Sequence, residues 1–307
     1  MPDKTPQTLS TPARTNHGLV QSTIRQLARP VLPLIVACAG AVAIGTIHSF
    51  NAGLLICLGF VGAFMAGLIG IGGGIIMIPL LLYVPPIFGM RPDGIHGVAG
   101  VTMIQVSVAG FIGMLVHRRT GHVETRLIMA LGITMTIASL AGAVLSRFMS
   151  PNILIGVFAS LATGAAVVML AGAPPQVTPN AGTLLSFNRW VAAALGAAVG
   201  LLVGMAGAGG GFLLVPIMIY VLKVPIRLAI GTSLAIVAMS GFAGSIGKIV
   251  TGQVDWYLAL ALVCGALPGA QLGSTVSTRI KASFLALVLG VVMALVAIYA
   301  WWKILTG

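Results

Sequence analysis

Nine apolar runs follow one another along the chain, at 31–50, 53–84, 96–117, 126–147, 151–171, 190–222, 228–249, 256–277 and 283–302. Most are about 20 residues long, the length at which a helix crosses a hydrocarbon core of roughly 30 Å. A backbone in lipid must satisfy its own hydrogen bonds, and a helix does so within one segment. The pattern therefore predicts an all-α, polytopic membrane protein. Charge agrees with this reading: only 7% of the 307 residues are Asp, Glu, Lys or Arg. Soluble domains carry about 25%. So few charges could not cover the surface of a soluble enzyme, and the composition also excludes a disordered chain and a secreted disulfide scaffold.

The net charge is +12. The basic residues are scattered between apolar runs with no interleaved aromatics, so they do not form a nucleic-acid surface. Lys and Arg concentrated in cytoplasmic loops give the same excess. Cys38, Cys57 and Cys264 each lie inside an apolar run with no CxxC spacing. They are expected to be small buried residues, not metal ligands or disulfide partners. Residues 1–30 are polar and basic and read as a disordered cytoplasmic tail, and 31–50 reads as an uncleaved extra span.

Two runs are too long for one crossing. As a single helix, 53–84 would extend about 48 Å, and 190–222 is as long. Each has a glycine cluster near its middle, where each glycine weakens a helix by about 1 kcal/mol relative to alanine. Both helices should break there. The clusters are also copies of each other. Residues 67–84 read GLIGIGGGIIMIPLLLYV and 204–221 read GMAGAGGGFLLVPIMIYV, identical at eight of eighteen positions. The offset of 137 pairs Gly70 with Gly207, Gly72 with Gly209, Gly73 with Gly210, Gly74 with Gly211 and Pro79 with Pro216. Further on the offset is 131. It pairs Gly100 with Gly231, Thr102 with Ser233, Gly142 with Gly273, and the run Thr120–Glu124 with Thr251–Asp255. The chain thus divides into a tail (1–30), an extra helix (31–50), repeat 1 (53–171), a linking loop (172–189) and repeat 2 (190–307).

Orientation depends on the broken runs. If each enters and leaves on one side, and the N-terminus is inside, twelve Lys and Arg lie inside and four (Arg91, Arg147, Lys248, Lys303) lie outside. Single crossings give ten and six. The positive-inside rule favours the hairpins. Each half then has three full spans plus a broken or re-entrant pair, and the halves form an inverted repeat. Transporters built this way bind substrate near the midplane, where the helices break.

The glycine clusters are either a substrate path or close contacts between helices. Opened helix N-termini suit an anion, whereas small residues let helices touch. Their occurrence in duplicate inside over-long runs favours a path through Gly70, Gly72, Gly73 and Gly74 and through Gly207, Gly209, Gly210 and Gly211. Thr102, Gln105, Thr232 and Ser233 add polar groups on the helix after each cluster. Thr102 and Gln105 share one face. His117 and Arg118 close that helix in repeat 1, and Lys248 stands opposite His117 in repeat 2. These residues either anchor helix ends or gate anions and relay protons. Glu124 and Asp255 are matched candidates for helix caps or for proton coupling. His48 and His96 lie at segment ends and are expected at the membrane interface. The sequence shows no nucleophile–base pair, zinc motif or cofactor signature, so neither a catalytic residue, a metal nor a cofactor is assigned, and the expectation is a protein that is not an enzyme.

GLIGIGGG with its downstream proline, the elements Gly100-Val101-Thr102-Met103 and Gly231-Thr232-Ser233-Leu234, and the pair HRRTGHV and TGQVDW resemble the TauE/SafE sulfite exporter family over about residues 53–302. The resemblance implies a multi-pass transporter of the bacterial inner membrane, its N-terminus cytoplasmic. It would export sulfite, organosulfonates or other small anions, with protons as a candidate coupling ion and lipid as its surroundings. An anion channel or a non-transporting accessory protein is the alternative. The first copy has GVTM where the family usually has GTSL.

Overall fold

The computed structural model describes residues 50–89, 94–171 and 188–306. The basic tail, the extra N-terminal span and nearly all of the linking loop lie outside the described residues. Ten helices fill the rest, five from each copy, and no strand occurs among the described residues. In repeat 1 they are α1 (Phe50–Ile69), α2 (Gly74–Ile87), α3 (Gly94–Arg119), α4 (Thr125–Phe148) and α5 (Pro151–Ala171). In repeat 2 they are α6 (Arg189–Ala206), α7 (Gly211–Val221), α8 (Ile226–Val250), α9 (Trp256–Ser277) and α10 (Ala282–Thr306). Seven helices (α1, α3, α4, α5, α6, α8 and α9) are long and apolar enough to cross a membrane, while α2 and α7 are shorter.

Both over-long runs break at their glycines. Gly70, Gly72 and Gly73 have φ of 79°, 74° and 78°, and Gly207, Gly209 and Gly210 have 77°, 73° and 79°. Side chains with a Cβ rarely adopt this left-handed region, which costs them about 1–2 kcal/mol per residue. The chain then reverses. A Cβ on Gly73 would lie 2.7 Å from the Gly62 carbonyl oxygen and 3.0 Å from the Ala66 Cβ. Met77, one turn into α2, abuts Gly62. A continuous helix would have carried Gly73 about 16 Å beyond Gly62. The break is a hairpin.

Helices α3 and α8 end in the same turn. The His122 N–H donates to the His117 carbonyl at 3.0 Å, and the Gln253 N–H to the Lys248 carbonyl at 2.9 Å. Gly121 and Gly252 supply the left-handed residue that such helix ends use (φ 73° and 70°). The next helices are capped as the acidic residues suggested. Glu124 Oε1 accepts from the Arg126 N–H at 3.2 Å, and Asp255 Oδ1 accepts from the Tyr257 and Leu258 N–H groups at 2.8 and 3.2 Å.

The copies interleave. Helix α1 lies along α9, where Gly265, Gly269 and Gly273 meet the backbones of Ile56, Phe60 and Phe64 in that order. Helix α6 lies along α4 in the same way, with Gly196, Gly200 and Gly204 on Leu131, Met135 and Ser139. Each copy's first helix therefore packs in parallel on the other copy's fourth. Helices α3 and α8 cross antiparallel: Gly100 meets Gln253, Ser107 meets Gly241, and Gly231 meets His117 and His122. The Ser107 hydroxyl donates to the Ala238 carbonyl at 3.1 Å.

Two expectations, on the cysteines and on Lys248, need correction. Cys57 is exposed on the outer face of α1 and Cys264 is half-buried, because their faces point away from the core. His96, in the first turn of α3, has its Nε2 3.2 Å from both the Ser146 and Met149 carbonyls. Lys248, counted above as a flanking charge, is fully buried.

Candidate functional site

The two breaks meet at the centre of the molecule. A Cβ on either Gly72 or Gly209 would run into Val106, and Gly72 also faces Val237. Val106 sits halfway along α3 and Val237 near the midpoint of α8. The breaks also touch each other. Gly74 abuts the Ala208 carbonyl, and Gly211 lies against the backbone of Ile71. Gly70 and Gly207 lie on the repeat-related residues Ile230 and Ala99. Four helix ends, two N-terminal and two C-terminal, thus converge on one junction. It offers partial charges of both signs with no charged side chain in the glycine segments.

The polar candidates divide into two groups here. In repeat 2 both hydroxyls hold structure in place. Ser233 Oγ lies 2.7 Å from the Gly70 carbonyl and 2.8 Å from the Ile230 carbonyl, pinning the repeat 1 break to α8. Thr232 Oγ1 accepts from the Glu124 N–H at 2.9 Å and holds the turn after α3. In repeat 1, Thr102 Oγ1 and both amide atoms of Gln105 are fully buried with no hydrogen-bond partner. Gln105 Nε2 lies 3.6 Å from the Cβ position of Gly62, inside the α1–α2 hairpin. A buried amide without partners costs roughly 1–3 kcal/mol by mutational measures. Thr102 and Gln105 are therefore the open polar groups of the junction, and a bound oxyanion would satisfy the hydroxyl and the amide N–H.

The basic helix ends form two further clusters at repeat-related places. Lys248 Nζ donates to Ser146 Oγ at 2.6 Å, Gln253 Oε1 at 3.0 Å and the Met205 carbonyl at 3.5 Å. Its counterpart His117 is 2% exposed, and neither ring nitrogen has a partner. Arg118 is exposed beside it and stays outside the cluster. His122, in the loop beyond, stacks edge-on to His117 with centroids 6.3 Å apart. Burial first, and then the Arg227 guanidinium, hold the His122 ring below the usual histidine range. Glu124 and Asp255 cap helices and do not enter either cluster.

Sequence reasoning missed Ser146, Ser274 and Ser277. Lone serines in apolar helices carry no pattern. The 131-residue offset, which pairs Ser146 with Ser277, was the one signal that could have found two of them.

Comparison with known proteins fits this architecture. A family model described as "Sulfite exporter TauE/SafE" matches residues 55–300. A probable membrane transporter protein of Xylella fastidiosa (strain 9a5c) is 31% identical over 249 residues, covering 80% of this chain and 92% of that protein. The probable membrane transporter protein YunE of Bacillus subtilis (strain 168) is 27% identical over 259 residues, covering 79% of this chain and 94% of its own length. No solved structure matches the chain.

Proposed function

The chain belongs to the TauE/SafE sulfite exporter family of membrane transporters, and on that premise we propose that it is a secondary transporter exporting small anions such as sulfite or organosulfonates across the bacterial inner membrane. It performs no bond chemistry. The observation that carries the reading is the central junction, where two hairpin breaks meet beside the unpartnered Thr102 and Gln105. Irregular backbone at membrane depth is tolerated where it is buried in protein or lines a cavity, and carriers place their substrates at such breaks. An anion there is held by backbone dipoles, a hydroxyl and an amide.

The halves have opposite orientation in the membrane, with the N-terminus cytoplasmic. Supporting this is the antiparallel crossing of α3 and α8, which the repeat relates to each other. A two-fold axis that exchanges antiparallel spans lies in the membrane plane. Alternating access then follows as a rocking of one interleaved set against the other.

The test is flux of sulfite, sulfoacetate, taurine, thiosulfate and simple carboxylates into proteoliposomes. One or more anions should move with saturation, and Gln105→Leu should reduce that flux at least tenfold while the protein stays folded. Unchanged flux in a folded Gln105→Leu variant would remove the substrate from this junction.

A further inference from the structure

The two basic clusters occupy equivalent places but differ in one respect. In repeat 2 the C-terminal ends of α4, α6 and α8 converge, and three oxygen acceptors close around the Lys248 ammonium. No carboxylate takes part. The charge is balanced by the negative ends of three helices, a setting that favours a cation. In repeat 1 the C-terminal ends of α9, α1 and α3 converge in the same manner. Ser274 Oγ sits in the notch between Gly67 and Gly113, at 2.6 and 2.9 Å from their Cβ positions. The His117 ring faces the Gly67 backbone. Ser277 is the repeat mate of Ser146, and His117 of Lys248. The oxygens of Ser274 and Ser277 and both nitrogens of His117 are buried, at most 2% exposed by residue, and all lack partners. Three of these orphaned atoms, the Ser274 oxygen and the two His117 nitrogens, lie against Gly67 at this junction of helix C-termini.

We propose that this junction binds the coupling proton of transport, carried on the His117 ring where repeat 2 holds a tethered ammonium. The proposal rests on the transport reading. A proton on His117 creates a second N–H donor, for which the Gly67 carbonyl and the serine oxygens are the acceptors. The titratable and charged groups facing the ring are the His122 imidazole from the loop and Arg227 from α8, whose guanidinium is itself fixed on the Thr278 and Ile280 carbonyls at 2.8 Å. Arg118 and Arg119 on α3 point outward, and α1 and α9 bring no charged side chain. An anion nearby offsets the Arg227 charge that the bound proton faces. The substrate junction begins three residues beyond Gly67, so proton and anion bind better together than apart.

Thermal melting of the purified full chain from pH 4.5 to 8.5 tests the site without any substrate. As the pH falls through this range, wild type should gain about 3 °C or more in melting temperature relative to His117→Gln, because a proton held by the folded site stabilises it. His117→Asn, equally unable to take up a proton, should melt with the same pH profile as His117→Gln. A pH-independent difference, or a loss by wild type relative to His117→Gln as the pH falls, overturns the proposal. So does a stabilisation by NaCl over choline chloride that His117→Gln abolishes, since that would assign the cradle to a metal ion. In proteoliposomes a pH gradient should drive sulfite accumulation by wild type but not by His117→Lys, and gradient-driven accumulation by that variant also overturns it. If wild type moves no anion while the melting change is present, the transport reading fails and the proton site stands.

Discussion

A left-handed glycine tolerates a methyl group only when the new atom has somewhere to go. Gly73 and Gly210 share their conformation but not their surroundings. The Cβ of Gly73→Ala would press on the Gly62 carbonyl and the Ala66 Cβ, which are fixed by helix α1. The Cβ of Gly210→Ala would meet the end of the Met135 side chain, which can swing aside. Both variants bear the left-handed strain of about 1–2 kcal/mol. Gly73→Ala should therefore melt lower than Gly210→Ala, and equal melting temperatures would contradict the contact geometry. Lys248 gives a second residue-level prediction. Removing a partner from a buried ammonium leaves charge uncompensated, whereas removing the ammonium also removes its desolvation penalty. Ser146→Ala should thus destabilise more than Lys248→Met, by about 1 kcal/mol or more in denaturant titration. The reverse order would mean that the cradle does not need its third oxygen. At this scale the sequence exposed the paired glycines and the His117–Lys248 match, because their types or positions are unusual in an apolar run. It could not distinguish Ser233, which pins a break, from Thr102, which has no partner, because that difference depends on neighbours far along the chain.

Among the elements, the stripe Gly265, Gly269, Gly273 was legible as a contact surface, since small residues every four positions let backbones approach. Its partner was not legible. Periodicity says which face is buried, but not which helix lies on it, and the exchange of first and fourth helices between copies leaves no local trace. The hairpin shape of the breaks was half legible: length forced a break, but the charge balance only favoured a return. The stripe makes its own prediction. Gly269 packs on the Phe60 backbone, whereas a Cβ on Gly156 of α5 would meet nothing within 4 Å. Gly269→Leu should destabilise by about 1–3 kcal/mol or more, as overpacking of a close contact does. Gly156→Leu should leave the melting temperature nearly unchanged or raise it. A Gly269→Leu protein as stable as wild type would show that α1 and α9 do not lie this close.

For the whole molecule the question is how the two copies sit in the bilayer. The repeat was plain from two offsets, but an offset has no direction, and a parallel repeat would give the same sequence matches. The crossing of α3 and α8 supports an inverted repeat. They are repeat mates, both are long enough to cross, and they cross antiparallel with Gly100 at one end on Gln253 and Gly231 at the other on His122. If both span the bilayer, mates that run in opposite senses start from opposite faces. Arg119 and Val250 stand at matching positions at the ends of these helices, and both are exposed. With Cys38, Cys57 and Cys264 replaced by alanine, Arg119→Cys and Val250→Cys place single thiols at the two ends. An impermeant maleimide applied to intact cells should label Val250→Cys and spare Arg119→Cys if the proposed orientation holds, because the positive-inside rule favours the basic loop after α3 on the inside. Labelling of Arg119→Cys alone would keep the inversion but turn the protein over, putting the basic loops outside. Labelling of both, or of neither until the cells are opened, would place the two ends on one face. Helices α3 and α8 could not then both cross the membrane in the arrangement seen here, and alternating access by inverted halves would have no structural basis.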